Sequence, residues 1–424
     1  VLGTGGSTLH RIWNFVAEYS LLLVGGAALA LAWANLAPES YHDLVHLPLW
    51  TDAPIGLPES HGDSATRVLT LHFLINDLLM ALFFAMAAKE VWEAVILSGG
   101  SLRGKKALTP LIATLGGMIG PIAVYLALAA TLGVLAETGR GWAIPTATDI
   151  AFSYLVGRII FGPRHPAIGF LLLLAIADDA GGLVILAIFY PSGKVAPVWL
   201  LLSVAAAVAV WLLASWLPRR LDRCRQDRPN STWTRRILGP WPYVIAGCVS
   251  WYAFYRAGLH PALGLLPIIP AIPHAERDFG IFAEEERYAH DLLNTMEHAL
   301  KVPVQIVLFA FGLVNAGVEF GAISTPTALV LLGLVIGKPL GITLFGWFAA
   351  NMLRLGLPEG MALRDLPVVG CVAAIGFTVA LFVASVAFQA GPVQDAAKMG
   401  ALFSLGSAAI AILAGRIAQV RRSG

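Results

Sequence analysis

The chain reads as an all-α polytopic membrane protein of about twelve transmembrane helices, and three observations lead there. Hydrophobic residues make up 58% of the 424 and charged residues only 13%, against roughly half and a quarter in soluble domains, so a bilayer is the expected solvent. Apolar runs approaching the ~20 residues needed to cross ~30 Å of hydrocarbon recur along the whole length. Lysine and arginine gather in alternate connecting segments, as they do when every second loop faces the cytoplasm.

The runs begin near residues 15, 68, 107, 142, 166, 196, 241, 260, 296, 325, 367 and 397. No cleavable signal pattern precedes the first, because Arg11 leads straight into it, and it is expected to remain as a helix. The eighth is the weakest, since Pro261, Pro267, Pro270 and Pro273 crowd a short segment. Arg103, Lys105 and Lys106 follow the second span, Arg158 and Arg164 the fourth, and seven arginines from Arg219 to Arg236 the sixth. Arg354 and Arg364 follow the tenth, and Arg416, Arg421 and Arg422 the twelfth, whereas the intervening loops offer little beyond Arg67, Arg140, Lys194 and Lys398. Both termini are therefore expected in the cytoplasm.

One transmembrane domain, 1–424, is expected, with three loops of note. Within residues 38–66 the stretch "HLPLWTDAPIGL" alternates apolar and polar side chains around Asp52 to Gly56 and suggests a periplasmic β-hairpin; 218–239 form a basic cytoplasmic loop, and 274–295 an acidic one that leads into the ninth span. The 28 basic and 26 acidic residues nearly cancel, to +2, so nothing marks the chain for nucleic acid. Cys224, Cys248 and Cys371 lack metal-ligand or redox spacing and read as unpaired fillers. No cofactor is called for.

An internal echo links "LGGMIGPIAVYLAL" in the third span to "LGLVIGKPLGITLF" in the tenth. An odd number of spans separates them, so they cross in opposite directions. The chain is thus expected to carry an inverted repeat, spans 3–5 and 10–12.

Ionisable groups at the centre of a span cost at least ~2.5 kcal/mol each, so they are candidates for function. Asp77, Asp149, Asp178, Asp179 and Lys338 stand out. Asp77 alone is equally well a structural ion pair or helix cap. Asp178 and Asp179 are different, being adjacent carboxylates half-way along the fifth span with apolar residues 171–177 and 183–188 on either side. Such a pair titrates as a unit and takes up protons readily. A hard monovalent cation offers the same neutralisation through oxygen ligands, so one site can hold either H⁺ or Na⁺. Pro145-Thr146-Ala147-Thr148-Asp149 places a proline and two threonines at mid-membrane depth, which predicts an interrupted fourth helix; Gly376 and Thr378 predict a second interruption in the eleventh. Asp149 suits the positive ends of half-helices that face one another and Lys338 the negative ends. Lys338 lies too deep behind apolar residues 328–336 to snorkel, so pairing with an aspartate is expected.

These segments resemble the NhaA-type sodium/proton antiporters of bacterial inner membranes over nearly the whole chain. The resemblance rests on "GWAIPTATDIAF" (141–152), "LAIADDAGGLVILAIFY" (174–190), "LVIGKPLGI" (334–342) and "AIGFTVALFVASVAF" (374–388), with "INDLLMALFF" (75–84) and "LFAFGLVNAGV" (308–318) in support. It implies electrogenic exchange of cytoplasmic Na⁺ or Li⁺ for more than one periplasmic H⁺, with Asp178 and Asp179 binding ion and protons, and Asp179 the principal Na⁺ ligand. It also implies that Lys338 bridges to Asp178 in the proton-loaded state, that Asp149 and Thr148 sit where the broken helices cross, and that the chain forms a homodimer through the periplasmic hairpin. Glu90, His260, Glu297 and His298 match positions of the family's pH-sensing cluster. The chain departs there, reading "AKEVWEA" at 88–94 in place of a more basic run, with Lys301 near the usual position of a second histidine.

Other classes fit less well. An intramembrane aspartyl protease needs its aspartates on separate helices in a GxGD-like context, which Asp178 and Asp179 lack. A channel needs a repeated ring of ligands, where this chain supplies one asymmetric site. A solute-coupled symporter would require a roomy polar pocket.

Overall fold

The computed structural model describes residues 21–61, 64–96, 107–222, 234, 237–273, 292–420 and 422. Most of the expected basic loop, the acidic loop from 274 to 291, and Arg103, Lys105 and Lys106 lie outside the described residues. The helices are α1 (Leu21–Leu36), α2 (Pro38–Val45), α3 (Leu71–Ile96), α4 (Leu108–Thr131), the bent pair α5 (Leu135–Thr146) and α6 (Ile150–Phe161), α7 (Pro166–Phe189) and α8 (Val198–Trp216). Then come α9 (Trp241–Ala257), α10 (Pro261–Ala271), α11 (Leu292–Asn315), α12 (Thr325–Met352), the bent pair α13 (Asp365–Ala373) and α14 (Phe377–Ala387), and α15 (Pro392–Ile417).

Among the described residues seven helices are long and apolar enough to cross a membrane, or nine spans if each bent pair is one. This is a multi-pass helical membrane protein. The other three expected spans fall on α1, α9 and α10, of which α1 is 16 residues from the first one described and α9 is 17. In α10 the prolines deny the backbone N–H groups an α-helix needs, and the segment winds as short 3₁₀ turns. The order long helix, bent pair, long helix occurs twice, as α4, α5/α6, α7 and as α12, α13/α14, α15. The bends are 56° and 51°, at the two places where proline, threonine and glycine interrupt the apolar runs.

The described chain packs as two compact units. The first takes its residues from Val1–Leu47, Gly104–Gly182 and Leu308–Gly424 and therefore holds both bent pairs. Its core includes Ile144, Phe161, Phe170, Leu171, Phe311, Phe377 and Phe382, all fully buried. The echoed sequences of α4 and α12 meet here face to face. A Cβ on Gly341 would lie 1.9 Å from the Gly116 carbonyl oxygen, and one on Gly120 would lie 2.3 Å from that of Gly337. Only hydrogen fits at those positions, which is how small residues let helix backbones touch in a membrane.

The second unit comprises the described parts of Pro48–Arg103 and Leu183–Val307. Val210, Tyr243, Ala246, Ile268, Ile269 and Leu293 form its core. It carries an antiparallel sheet of β1 (Pro48–Thr51), β2 (Leu57–His61) and β3 (Ser64–Thr70) in the order β1-β3-β2. The residues flanking 52–56 are thus both strands, each paired to β3 and not to one another. Tyr255 Oη pins the sheet to α9, donating to the Gly56 carbonyl (2.8 Å) and accepting from Gly56 N–H and from Arg67 Nη1.

Candidate ion-binding site

α7 runs unbroken for 24 residues and carries Asp178 and Asp179 at its middle, in the part that belongs to the first unit. Lys338 Nζ donates to Asp178 Oδ2 at 2.8 Å and also to the Thr146 carbonyl. The lysine is wholly buried and follows a wide, π-type turn over Gly333–Gly337, which displaces the helix register just ahead of it. Thr146 is the last residue of α5. Its carbonyl belongs to the negative end of that half-helix, so Lys338 answers two negative groups at once. Asp178 Oδ1 is buried and meets no donor in hydrogen-bonding geometry. Thr148 lies nearby without bonding to this oxygen, and its hydroxyl donates instead to the Ala373 carbonyl at 3.2 Å. Asp179 is half-buried, has interactions of its own, and contributes to the electrostatic environment of Lys338.

Asp149 occupies the crossing of the two breaks. Its Oδ1 accepts from Phe152 N–H at 3.2 Å and so caps α6; its Oδ2 accepts from Thr378 N–H at 3.4 Å and from the Thr378 hydroxyl, capping α14. One carboxylate therefore serves the positive ends of two half-helices. The Asp149 N–H donates to the Ile375 carbonyl at 2.7 Å, and Ser153 Oγ to the Val372 carbonyl at 3.1 Å, so the second break stays bound to the first. Gly376 permits the approach, since a Cβ there would stand 2.8 Å from the Ala147 carbonyl oxygen.

The remaining candidates lie in the second unit. Asp77 sits in another wide turn, Leu74–Leu79, with its carboxylate 3.8 Å from His260 Nε2, and its carbonyl accepts from Trp251 Nε1 at 2.8 Å. His260 Nδ1 accepts from Ala262 N–H at 3.3 Å and starts α10. Glu90 is half-buried and engaged, and His298 is exposed. Glu297 is held by Lys89, a residue absent from the expected set, which is 5% exposed and reaches Glu297 at 2.5 Å and Glu93 at 2.7 Å. The lysine four residues before Glu93 on a helix was the signal available for it. Replacing it removes the cation that Glu93 and Glu297 share, so Lys89→Met is expected to cost about 1–3 kcal/mol. Thermal unfolding in detergent checks this, together with Lys89→Met/Glu297→Leu, which should recover part of the loss. Among the described residues no three of His, Cys, Asp and Glu come together as a metal cluster.

Apolar spans, two broken helices crossing within one unit, and a buried lysine–aspartate pair beside the break define a secondary transporter, not an enzyme. A family model described as Na⁺/H⁺ antiporter 1 matches residues 11–416, and the chain belongs to that family. It is 66% identical over 418 residues to the Na⁺/H⁺ antiporter NhaA of Jannaschia sp. (strain CCS1), covering 98% of this chain and 99% of that one. It is 46% identical over 421 residues to the protein of the same name from Desulfitobacterium hafniense (strain DSM 10664 / DCB-2), with 98% of each chain covered. Over 413 residues it is 43% identical to that of Geobacter sulfurreducens, with 96% and 98% covered.

Proposed function

We propose that the protein exchanges cytoplasmic Na⁺ or Li⁺ for periplasmic H⁺ across a bacterial inner membrane, with both termini in the cytoplasm, and that Asp178 and Asp179 are the transport site. The observation that carries this reading is the Asp178–Lys338 pair, buried at the middle of a span with one carboxylate oxygen lacking a donor. An unpartnered buried charge is costly, so each state of such a site must give its buried charges partners. Without Na⁺, protonated Lys338 on Asp178 does so. With Na⁺ on Asp179 and Asp178, the cation takes over that part and Lys338 releases its hold, so Na⁺ and H⁺ compete for the same carboxylates. Asp149, Thr148, Gly376 and Thr378 keep the crossing of the broken helices in place as access alternates between the two sides. Two carboxylates and a lysine allow more than one proton to leave per cation, which makes the exchange electrogenic. Glu90, His260, Glu297 and His298 adjust activity to pH, and the chain works as a homodimer joined through the sheet at 48–70.

The test is Na⁺-driven dissipation of a pH gradient in everted vesicles, across a pH series, for the parent, Asp179→Asn and Lys338→Ala. The parent should collapse the gradient and Asp179→Asn should not. A parent inactive at every pH, with Li⁺ as well as Na⁺, would sink the reading.

A further inference from the structure

In the second unit α8 is the least buried of the long apolar helices among the described residues, with only 17% of its most apolar stretch buried inside the protein, against 33% or more for each of the others. Leu201, Leu213 and Val198 stand out from it more than two-thirds exposed. Its apolar length ends in aromatic rings, Trp199 at the start and Trp216 at the finish. These are about 25 Å apart at ~1.5 Å per residue, near the thickness of the hydrocarbon layer. Trp199 therefore sits at headgroup level.

Beside it a cation is held in place. Arg256, in the last turn of α9, lays its guanidinium 4.8 Å from the centre of the Trp199 ring and 6.0 Å from that of Tyr252, and Nη1 reaches Tyr252 Oη at 3.4 Å. The two rings meet edge to face at 6.3 Å. Lys194 is fixed close by, because the loop before α8 is bonded to the end of α9. Gly193 N–H donates to the Gly258 carbonyl at 3.2 Å and Ala196 N–H to the Ala257 carbonyl at 2.9 Å. Gly258 adopts φ +74°, and a Cβ there would lie 2.5 Å from the Lys194 carbonyl oxygen, so the close seat of this loop requires a glycine. Arg256 and Lys194 are both exposed, and among the described residues no carboxylate lies within ion-pair distance of either. The positive N-terminal end of α8 opens onto the same place.

An arginine that merely snorkels needs no clamp of two rings. Here one cation is clamped between two rings, and a second, Lys194, stands on a loop whose backbone is bonded to the same helix end, both at the headgroup end of an apolar helix with little of its face buried. We propose that Arg256, Lys194 and Trp199 form a binding site for the phosphate of an anionic phospholipid whose acyl chains lie along α8. A free phosphate ion would match the charges but not the apolar face below them.

The full chain in neutral detergent, titrated with phosphatidylglycerol or phosphatidylcholine and read by native mass spectrometry, tests this. Arg256→Gln/Lys194→Gln should weaken phosphatidylglycerol retention by about tenfold and leave phosphatidylcholine unchanged. Arg256→Lys keeps the charge and should restore most of the retention, which separates loss of the site from loss of the fold. Arg416→Gln, an exposed arginine in the last turn of α15, should have no effect. Equal retention by parent and double variant, an equal loss in Arg416→Gln, or displacement of the lipid by an equal concentration of inorganic phosphate would each overturn the proposal.

Discussion

Removing either partner of the Asp178–Lys338 pair is expected to destabilise the first unit by about 3–5 kcal/mol, while removing both at once costs less than either alone. The asymmetry follows from burial. Lys338 is wholly enclosed and Asp178 nearly so, at 2.8 Å, so Asp178→Leu deprives a buried ammonium of its ion-pair partner and Lys338→Met deprives a buried carboxylate of its own. The double variant Asp178→Leu/Lys338→Met removes both charges and keeps apolar groups of similar size in their place. The Thr146 carbonyl then loses its donor, which keeps the double variant below the parent. Thermal unfolding of the four proteins in one detergent completes the cycle. A double variant whose loss equals the sum of the singles would mean that the pair is not coupled. Transport in everted vesicles should vanish in all three variants, including the one that is nearly as stable as the parent, and that combination separates a role in the exchange from a role in the fold.

The same pair marks how far the residues could be read before the structure. The depth of Lys338 was legible from the apolar residues 328–336, and the two breaks were legible from Pro145 to Asp149 and from Gly376, because proline and glycine act on the backbone locally. What lay beyond reach was long-range. The capping of α14 by Asp149 joins residues 229 apart in the chain, and nothing in the composition of either segment names the other. The wide turns ahead of Lys338 and around Asp77 were also hidden, since they arise from how a helix accommodates its neighbours and carry no residue signature as strong as a proline. Lys89 was passed over for a different reason. Glu90 and Glu297 match positions of a family cluster, and the cation between the carboxylates stands one residue outside that match. A hairpin was expected within 38–66 from alternation around Asp52 to Gly56, but local alternation fixes only which residues can be strands, and the pairing of β1 and β2 with β3 is a long-range choice.

The echo between the third and tenth spans leads to the second large effect. Two segments of similar sequence in opposite orientation were expected from the pattern alone, and the structure packs their glycines against each other's backbone. Gly116 and Gly120 on α4 face Gly337 and Gly341 on α12, and in each case a Cβ would fall within 2.6 Å of a backbone atom of the other helix. No rotamer change relieves a clash with backbone, so Gly341→Leu must drive the helices apart along their contact. Overpacking a core commonly costs about 1–3 kcal/mol, and here the displaced helix also carries Lys338, just after the wide turn Gly333–Gly337. Gly341→Leu is therefore expected to lose stability by at least that amount and to lose transport with it, whereas Gly25→Leu, in α1 with open space at its Cβ, should be tolerated. Measuring the unfolding temperature of both variants in detergent, beside vesicle transport, checks the argument. If Gly341→Leu unfolds at the parent's temperature and still exchanges ions, the helices do not depend on that contact, and the placement of Lys338 must be secured from α7 and α5 instead.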